Sequence, residues 1–470
     1  MMDMTKRKYL AQTAGLIGLM LIGVASFFYS VMTSDFAEIA IRPGFLDFPI
    51  FIGEILLFIC LLLLSVKIVL GTIRFERWHG WLMVYLLWVV TKALWGYFHG
   101  GPLAFRHAAL FYYPVFTVLG YYFYRHNFVS RRMKVILVTV LGYCLLTDNV
   151  TTYFLWAYVI FYVILTLSLK NNMMRNILLG GGVLLFLFKF PMLFSSSRSH
   201  MIGMTSVFVF FIVSGAVIVY RKNPRLGILL PGVLGLVFLI GIFRYSDKNA
   251  LTTLLTPAQA REKFAEYDAY LTEHEKDYVF RVLPYRLYHD NQDFSAAAPL
   301  KEEWGAEGTE GAQGNRRYRP LDTAYGNIAF RIFIWRDMWR ELLAERPWFG
   351  FSFSRPQRSK SLEILDMARV VWSHDGWITP HNSYLHILYR AGLLGLAMIV
   401  FVGGFFIKLV RDFAGMRSLP GILLCSLILY WMAIANFLVF LELPYNAIPF
   451  WTVFGLAAAY RRELKSRMAT

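Results

Sequence analysis

Residues 55–64 read ILLFICLLLL and residues 393–406 read LLGLAMIVFVGGFF; neither run has a polar face. A helix that is apolar all round must hide in lipid or in a very large core. Runs of the same kind occupy 136–146, 183–188 and 207–219. So many in one chain make lipid the simpler solvent. Composition agrees: 57% of residues are hydrophobic, 16% are charged, and the mean hydropathy is +0.50. A soluble domain is nearer to about half apolar and about a quarter charged.

The chain therefore reads as an all-α integral membrane protein. About twelve transmembrane helices are expected, with a large, mainly helical periplasmic loop before the tenth. The expected spans are 10–32, 46–66, 78–98, 107–124, 133–148, 151–169, 175–194, 200–220, 226–243, 383–407, 419–441 and 447–460. Three parts follow: an N-terminal membrane part at 1–243, the loop at 244–382, and a C-terminal membrane part at 383–470. Lys6, Arg7 and Lys8 precede an apolar stretch long enough to stay as a span, so no cleaved signal peptide is expected. The only cysteines, Cys60, Cys144 and Cys425, lie in hydrophobic runs, so the loop can hold no disulfide.

The net charge of +17 would suggest nucleic acid in a soluble protein. Here it reads as topology, and no nucleic-acid partner is expected. Counted over alternate ends of the spans, 22 Lys and Arg fall on one side. The short loops of the other side hold three: Arg42, Arg106 and Arg198. Basic residues stay cytoplasmic, so both termini are expected inside and the loop outside.

Residues 244–382 hold 19 basic and 20 acidic side chains, and the segment is too long for a simple connector. Residues 257–277 are polar and helix-compatible, and 305–314 (GAEGTEGAQG) reads as a flexible insert. Residues 328–345 are amphipathic and stop at Pro347 and Gly350. Ile328, Arg331, Ile332, Trp335, Met338, Trp339 and Leu342 fall on one expected stripe, with Arg340 opposite and Arg336 in solvent.

Walker loops, dinucleotide-binding glycines, zinc spacings and nucleophile elbows are all missing, and no cofactor or metal site is expected. What remains is basic and imidazole groups at the outer boundary. Arg198 stands among hydroxyls in SSSRSH (195–200), on a side otherwise nearly free of Arg. It reads either as a headgroup-facing cation or as a fixed charge for a phosphate, with Ser197 supporting it. Arg331 lies on the burying face of its helix and needs an anion, from a loop carboxylate or from a substrate. His381 opens the tenth span, and its ordinary pKa, about 6.5, suits a general base. Asn382, His386 and Arg390 carry a polar stripe into the membrane, where an Arg faces a protein interior or a cavity. Cations stabilise a diphosphate as it leaves, and a His takes the proton of an attacking hydroxyl. Trp304, Trp335, Trp339, Trp348, Trp372 and Trp377 suit sugar stacking or an interfacial belt.

Three blocks resemble the O-antigen ligase and polymerase family: SSSRSHMIGM (195–204), FRIFIWRDMWRELLAERPWFGFSF (330–353) and HNSYLHILYRAGLLGL (381–396). The resemblance implies a multi-span membrane glycosyltransferase acting at the periplasmic face. It implies a glycan donor on undecaprenyl diphosphate and a lipid A–core or other glycan acceptor. On that likeness Arg198 and Arg331 bind the diphosphate, and His381 activates the acceptor hydroxyl with inversion at the anomeric carbon. Asn382, Tyr384 and Arg390 are supporting residues. Position 390 is Arg where the family often has an acid. Two other readings stay open: a polymerase joining lipid-linked repeats, and a polysaccharide flippase. The second would show related halves, and none are visible.

Overall fold

The computed structural model describes residues 4–32, 34–44, 49–73, 77–124, 202–207, 209–210, 257–274, 326–357, 359–364 and 380–469. The expected spans at 133–148, 151–169, 175–194 and 226–243 lie outside them, as do Ser197, Arg198 and the insert at 305–314.

Helix α1 (Met4–Met32) is followed by α2 (Ser34–Ala37) and by a minimal antiparallel pair, β1 (Ala40–Ile41) with β2 (Ile50–Phe51). Then come α3 (Ile52–Val69) and α4 (Arg77–Gly100). The second span thus starts later than the expected 46, because residues 50–51 pair as strand. The fourth span is not one helix. It is α5 (Leu103–Tyr112) and α6 (Val115–Phe123), parted at Tyr113–Pro114, where the proline has no N–H to continue the ladder.

In the loop, α7 (Pro257–His274), α8 (Gly326–Glu345) and α9 (Lys360–Ile364) are helical. The C-terminal part is α10 (Ser383–Gly415), α11 (Leu419–Ile434) and α12 (Pro444–Ala469). Helix α11 ends well before the expected 441, and a largely non-helical turn takes the chain from 435 to 443. Among the described residues, four helices are long and apolar enough to cross a membrane: α1, α3, α4 and α10.

Close packing comes from small residues. A Cβ on Gly120 of α6 would stand 2.5 Å from the Thr452 carbonyl, and one on Gly455 of α12 would stand 2.0 Å from that of Thr117. The two backbones touch, the usual solution where lipid supplies no hydrophobic drive between helices. Polar contacts gather the opposite helix ends. Lys67 at the end of α3 donates to the Tyr122 carbonyl at 2.5 Å, Tyr124 to Glu463 at 2.9 Å, and Arg461 and Lys465 pair with Asp412. The C-terminal ends of α3, α6, α12 and α10 therefore share one face of the bundle. The Ser383 end of α10 and the Gly100 end of α4 lie at the other face, with the loop.

A second, smaller core sits at that face. Phe333, Ile334, Met338 and Leu342 of α8 pack with Tyr267 and Leu271 of α7, Leu362 of α9, and Phe351, Leu385 and Tyr389. The expected stripe on α8 is thus partly wrong: Ile332 and Trp339 are exposed, 39% and 46%, while Phe333 and Ile334 are buried. Helix α8 packs on two sides, with Phe333 turned to the Tyr267 ring at 6.0 Å, so its buried face is broader than one stripe. Arg336 is not simply solvated either; it pairs with Asp268 at 2.5 Å.

Candidate active site

Between α8 and α9 the chain enters the bundle without secondary structure. Phe351 N donates to the Tyr389 carbonyl at 2.8 Å, and Leu393 N to the Trp348 carbonyl at 3.0 Å. At about 1.5 Å per residue, these contacts lie about 9–15 Å along α10 from its start. Lys92, about 12 Å from the end of α4, reaches the Phe349 carbonyl at 2.7 Å and also the Arg390 carbonyl. Phe353 is fully buried, stacked on Phe111 at 5.1 Å and edge-on to Trp88 at 6.1 Å.

Irregular backbone at this depth must have every polar group met by protein. Buried cationic and imidazole groups do this. Arg390, with no exposed surface, donates Nη1 to the Ser352 carbonyl at 2.5 Å and to that of Arg355 at 2.8 Å. His107 of α5 donates Nδ1 to the Phe353 carbonyl at 2.5 Å. Arg390 thus holds the re-entrant turn, which gives that supporting residue a definite structural task. Two glycines let the turn seat. Gly350 (φ +64) and Gly392 (φ +56) occupy the left-handed region, and a Cβ on either would lie 2.7 Å or closer to the other's backbone. The Pro–x–x–Gly turn and the Gly-rich stretch of α10 are two halves of one joint.

Above the joint, three elements converge on His381. Its backbone takes a left-handed turn, φ 48, strained for a side chain of this size. Pro380 before it is pinned by Trp335 of α8, whose Nε1 donates to the Pro380 carbonyl at 2.6 Å. Asn382 after it caps α10, accepting from Leu385 N at 3.0 Å. His381 is thereby lifted off the helix start. Tyr384 donates to the Met432 carbonyl at 3.0 Å and ties α10 to α11.

Arg331 lies one helical turn before Trp335, on the same side of α8. It is partly buried, and its charge acts directly on His381. Burial first, and the Arg331 guanidinium second, push the His381 imidazole down to about 4, against a smaller upward pull from Glu442. Its basicity is therefore below that of an ordinary imidazole, and the ring is neutral at physiological pH.

Glu442 arrives from the turn after α11. Ser383 fixes that turn: Ser383 N donates to the Ala435 carbonyl at 2.8 Å, and its Oγ accepts from Phe440 N at 2.9 Å and Leu441 N at 3.0 Å. Glu442 then accepts from His386 Nδ1. Sequence reasoning did not single out Glu442 or His107. Glu442 had one available signal: no other acid stands between Asp412 and Glu463. His107 had none.

The site thus pairs a neutral imidazole with a fixed cation at the mouth of a helical bundle. Residues 182–400 match the family model described as O-antigen ligase, and the range takes in Arg198, Arg331 and His381. The matched stretch is just under half of the chain, and it is similar to the O-antigen ligase family. A Rickettsia bellii (strain RML369-C) protein named "Putative polysaccharide ligase" is 34% identical over 80 residues, covering 17% of this chain and 19% of that protein. The chain thus matches about a fifth of that relative's length. No solved structure matches. The family match ends inside α10, so Glu442 lies beyond it.

Proposed function

We propose that the protein transfers a glycan from undecaprenyl diphosphate to a hydroxyl acceptor, such as lipid A–core, at the periplasmic face of the inner membrane. The observation that supports this reading is that Trp335, one turn after Arg331 on α8, holds the carbonyl just before His381, within the stretch that matches the O-antigen ligase model. His381 takes the proton of the acceptor hydroxyl as its oxygen bonds to the anomeric carbon. The bond from that carbon to the diphosphate breaks on the opposite face, and the oxygen leaves with the electron pair. Attack from that side inverts the anomeric centre. Arg331, joined by Arg198, stabilises the charge gathering on the diphosphate. Arginine supplies positive charge in a fork that fits phosphate oxygens, so the transfer is expected to need no metal.

Purified protein in lipid, given an undecaprenyl-diphosphate-linked glycan with and without lipid A–core, tests the reading by product size. Product only with lipid A–core supports a ligase. A ladder from donor alone would make it a polymerase, and no product would return weight to transport. Arg331→Ala is expected to lower transfer about 10²-fold or more with normal membrane insertion. Arg331→Lys should rescue little, because a point charge does not replace the bidentate fork. Normal turnover in Arg331→Ala would remove that residue from the mechanism.

A further inference from the structure

The network behind the site fixes its own protonation. Arg390 Nε can only donate, and it points at His386 Nε2 at 3.2 Å, so that nitrogen accepts. The ring proton of His386 is then on Nδ1, directed at Glu442. The same logic holds on the other side. Arg390 Nη2 faces His107 Nε2 at 3.3 Å, while His107 Nδ1 donates to the Phe353 carbonyl. Both imidazoles are neutral and have the same tautomer. Arg390 is the buried cation, Glu442 and Glu341 are the carboxylates that act on it, and His386 stands between Arg390 and Glu442. A buried Arg without an anion would be prohibitively costly, and this one is met through an intermediary ring.

This arrangement fixes one carboxylate close behind the start of α10. Ser383 holds the backbone just before Glu442 onto the first turn of α10, two residues from His381. His386, one turn further in, holds the carboxylate itself. We propose that Glu442, locked by His386 and Arg390, is a positioning residue of the transfer site: the fixed counter-charge of His381 when that imidazole takes the acceptor proton. The proposal rests on the transfer reading. Glu442 acts on His381, His386 and Arg390; Arg331 from α8 also acts on His381, and His107 from α5 faces Arg390 from the other side. A carboxylate here performs two opposed tasks. It favours the imidazolium formed during transfer, and it weakens the hold of nearby Arg331 on an anion.

The substitution Glu442→Gln separates the tasks, because its carboxamide still accepts from His386 and only the charge is lost. The expected result is a fall in kcat of about ten-fold or more with no rise in donor KM. Binding of undecaprenyl diphosphate to the same purified variant, measured without acceptor, should tighten several-fold. Glu442→Asp, which keeps the charge, should recover part of the rate and return binding towards wild type. Full kcat in Glu442→Gln, or weakened binding alongside lost turnover, would overturn the proposal. Tighter binding in a protein whose wild type transfers nothing would uphold the counter-charge and defeat the transfer reading instead.

Discussion

His381 shows how an environment changes what a residue can do. Its type and place suggest an ordinary imidazole titrating near neutrality. Burial and the Arg331 charge move it to about 4. A base works only when neutral, and His is neutral above its pKa, so activity should be lost as pH falls through that value. The pH profile of kcat/KM, which reports the free enzyme, should therefore be flat through neutrality, with its acid limb near 4. The limb of kcat should lie higher. A bound diphosphate offsets the Arg331 charge and restores basicity to the ring. A kcat/KM limb at about 6.5, the unperturbed value, would show that Arg331 and burial do not act on His381. His381 and Arg331 could be singled out as candidates because each sits in a contiguous block. Glu442 and His107 were not, since their meaning arises only when the turn after α11 and helix α5 meet α10.

At the scale of elements, the decisive object is the joint between the 347–351 turn and α10. Sequence reading placed the stop of α8 correctly at Pro347 and Gly350, and α8 itself within a few residues. It could not place the turn inside the bundle. The residues WFGFSF at 348–353 are too short for a span, and the partners that satisfy their backbone, Lys92, His107 and Arg390, come from three separate helices. Gly350→Ala would put a Cβ 2.5 Å from Ala391 N, and Gly392→Ala would put one 2.6 Å from the Trp348 carbonyl. Left-handed strain adds about 1–2 kcal/mol at each position. Both variants are expected to melt at lower temperature and to lose transfer, because the turn unseats and α8 no longer presents Arg331. Gly403→Ala on the same helix, with nothing within 4 Å of the new methyl, is the control and should match wild type. Equal thermal stability of all three variants would show that the joint does not hold the site.

For the whole molecule, hydropathy and the spacing of Lys and Arg carried the reading furthest. Lys67, Arg461 and Lys465 were counted on one side, and contacts made by all three gather the same ends of α3, α6, α10 and α12. The pattern is easy to read because a lipid-facing helix has no polar face to confuse the count. It fails where a helix is interrupted inside the bundle, as at Tyr113–Pro114, since hydropathy runs on across the break. Both the bundle and the loop helices exist, on this account, to bring one imidazole and one guanidinium together at the mouth. The most direct test is transfer by His381→Ala in purified protein that inserts and elutes as wild type, supplied with undecaprenyl-diphosphate-linked glycan and acceptor. The account predicts a loss of about 10²–10⁴-fold in turnover with donor binding retained, the span expected for removal of a general base. Turnover equal to wild type would contradict it.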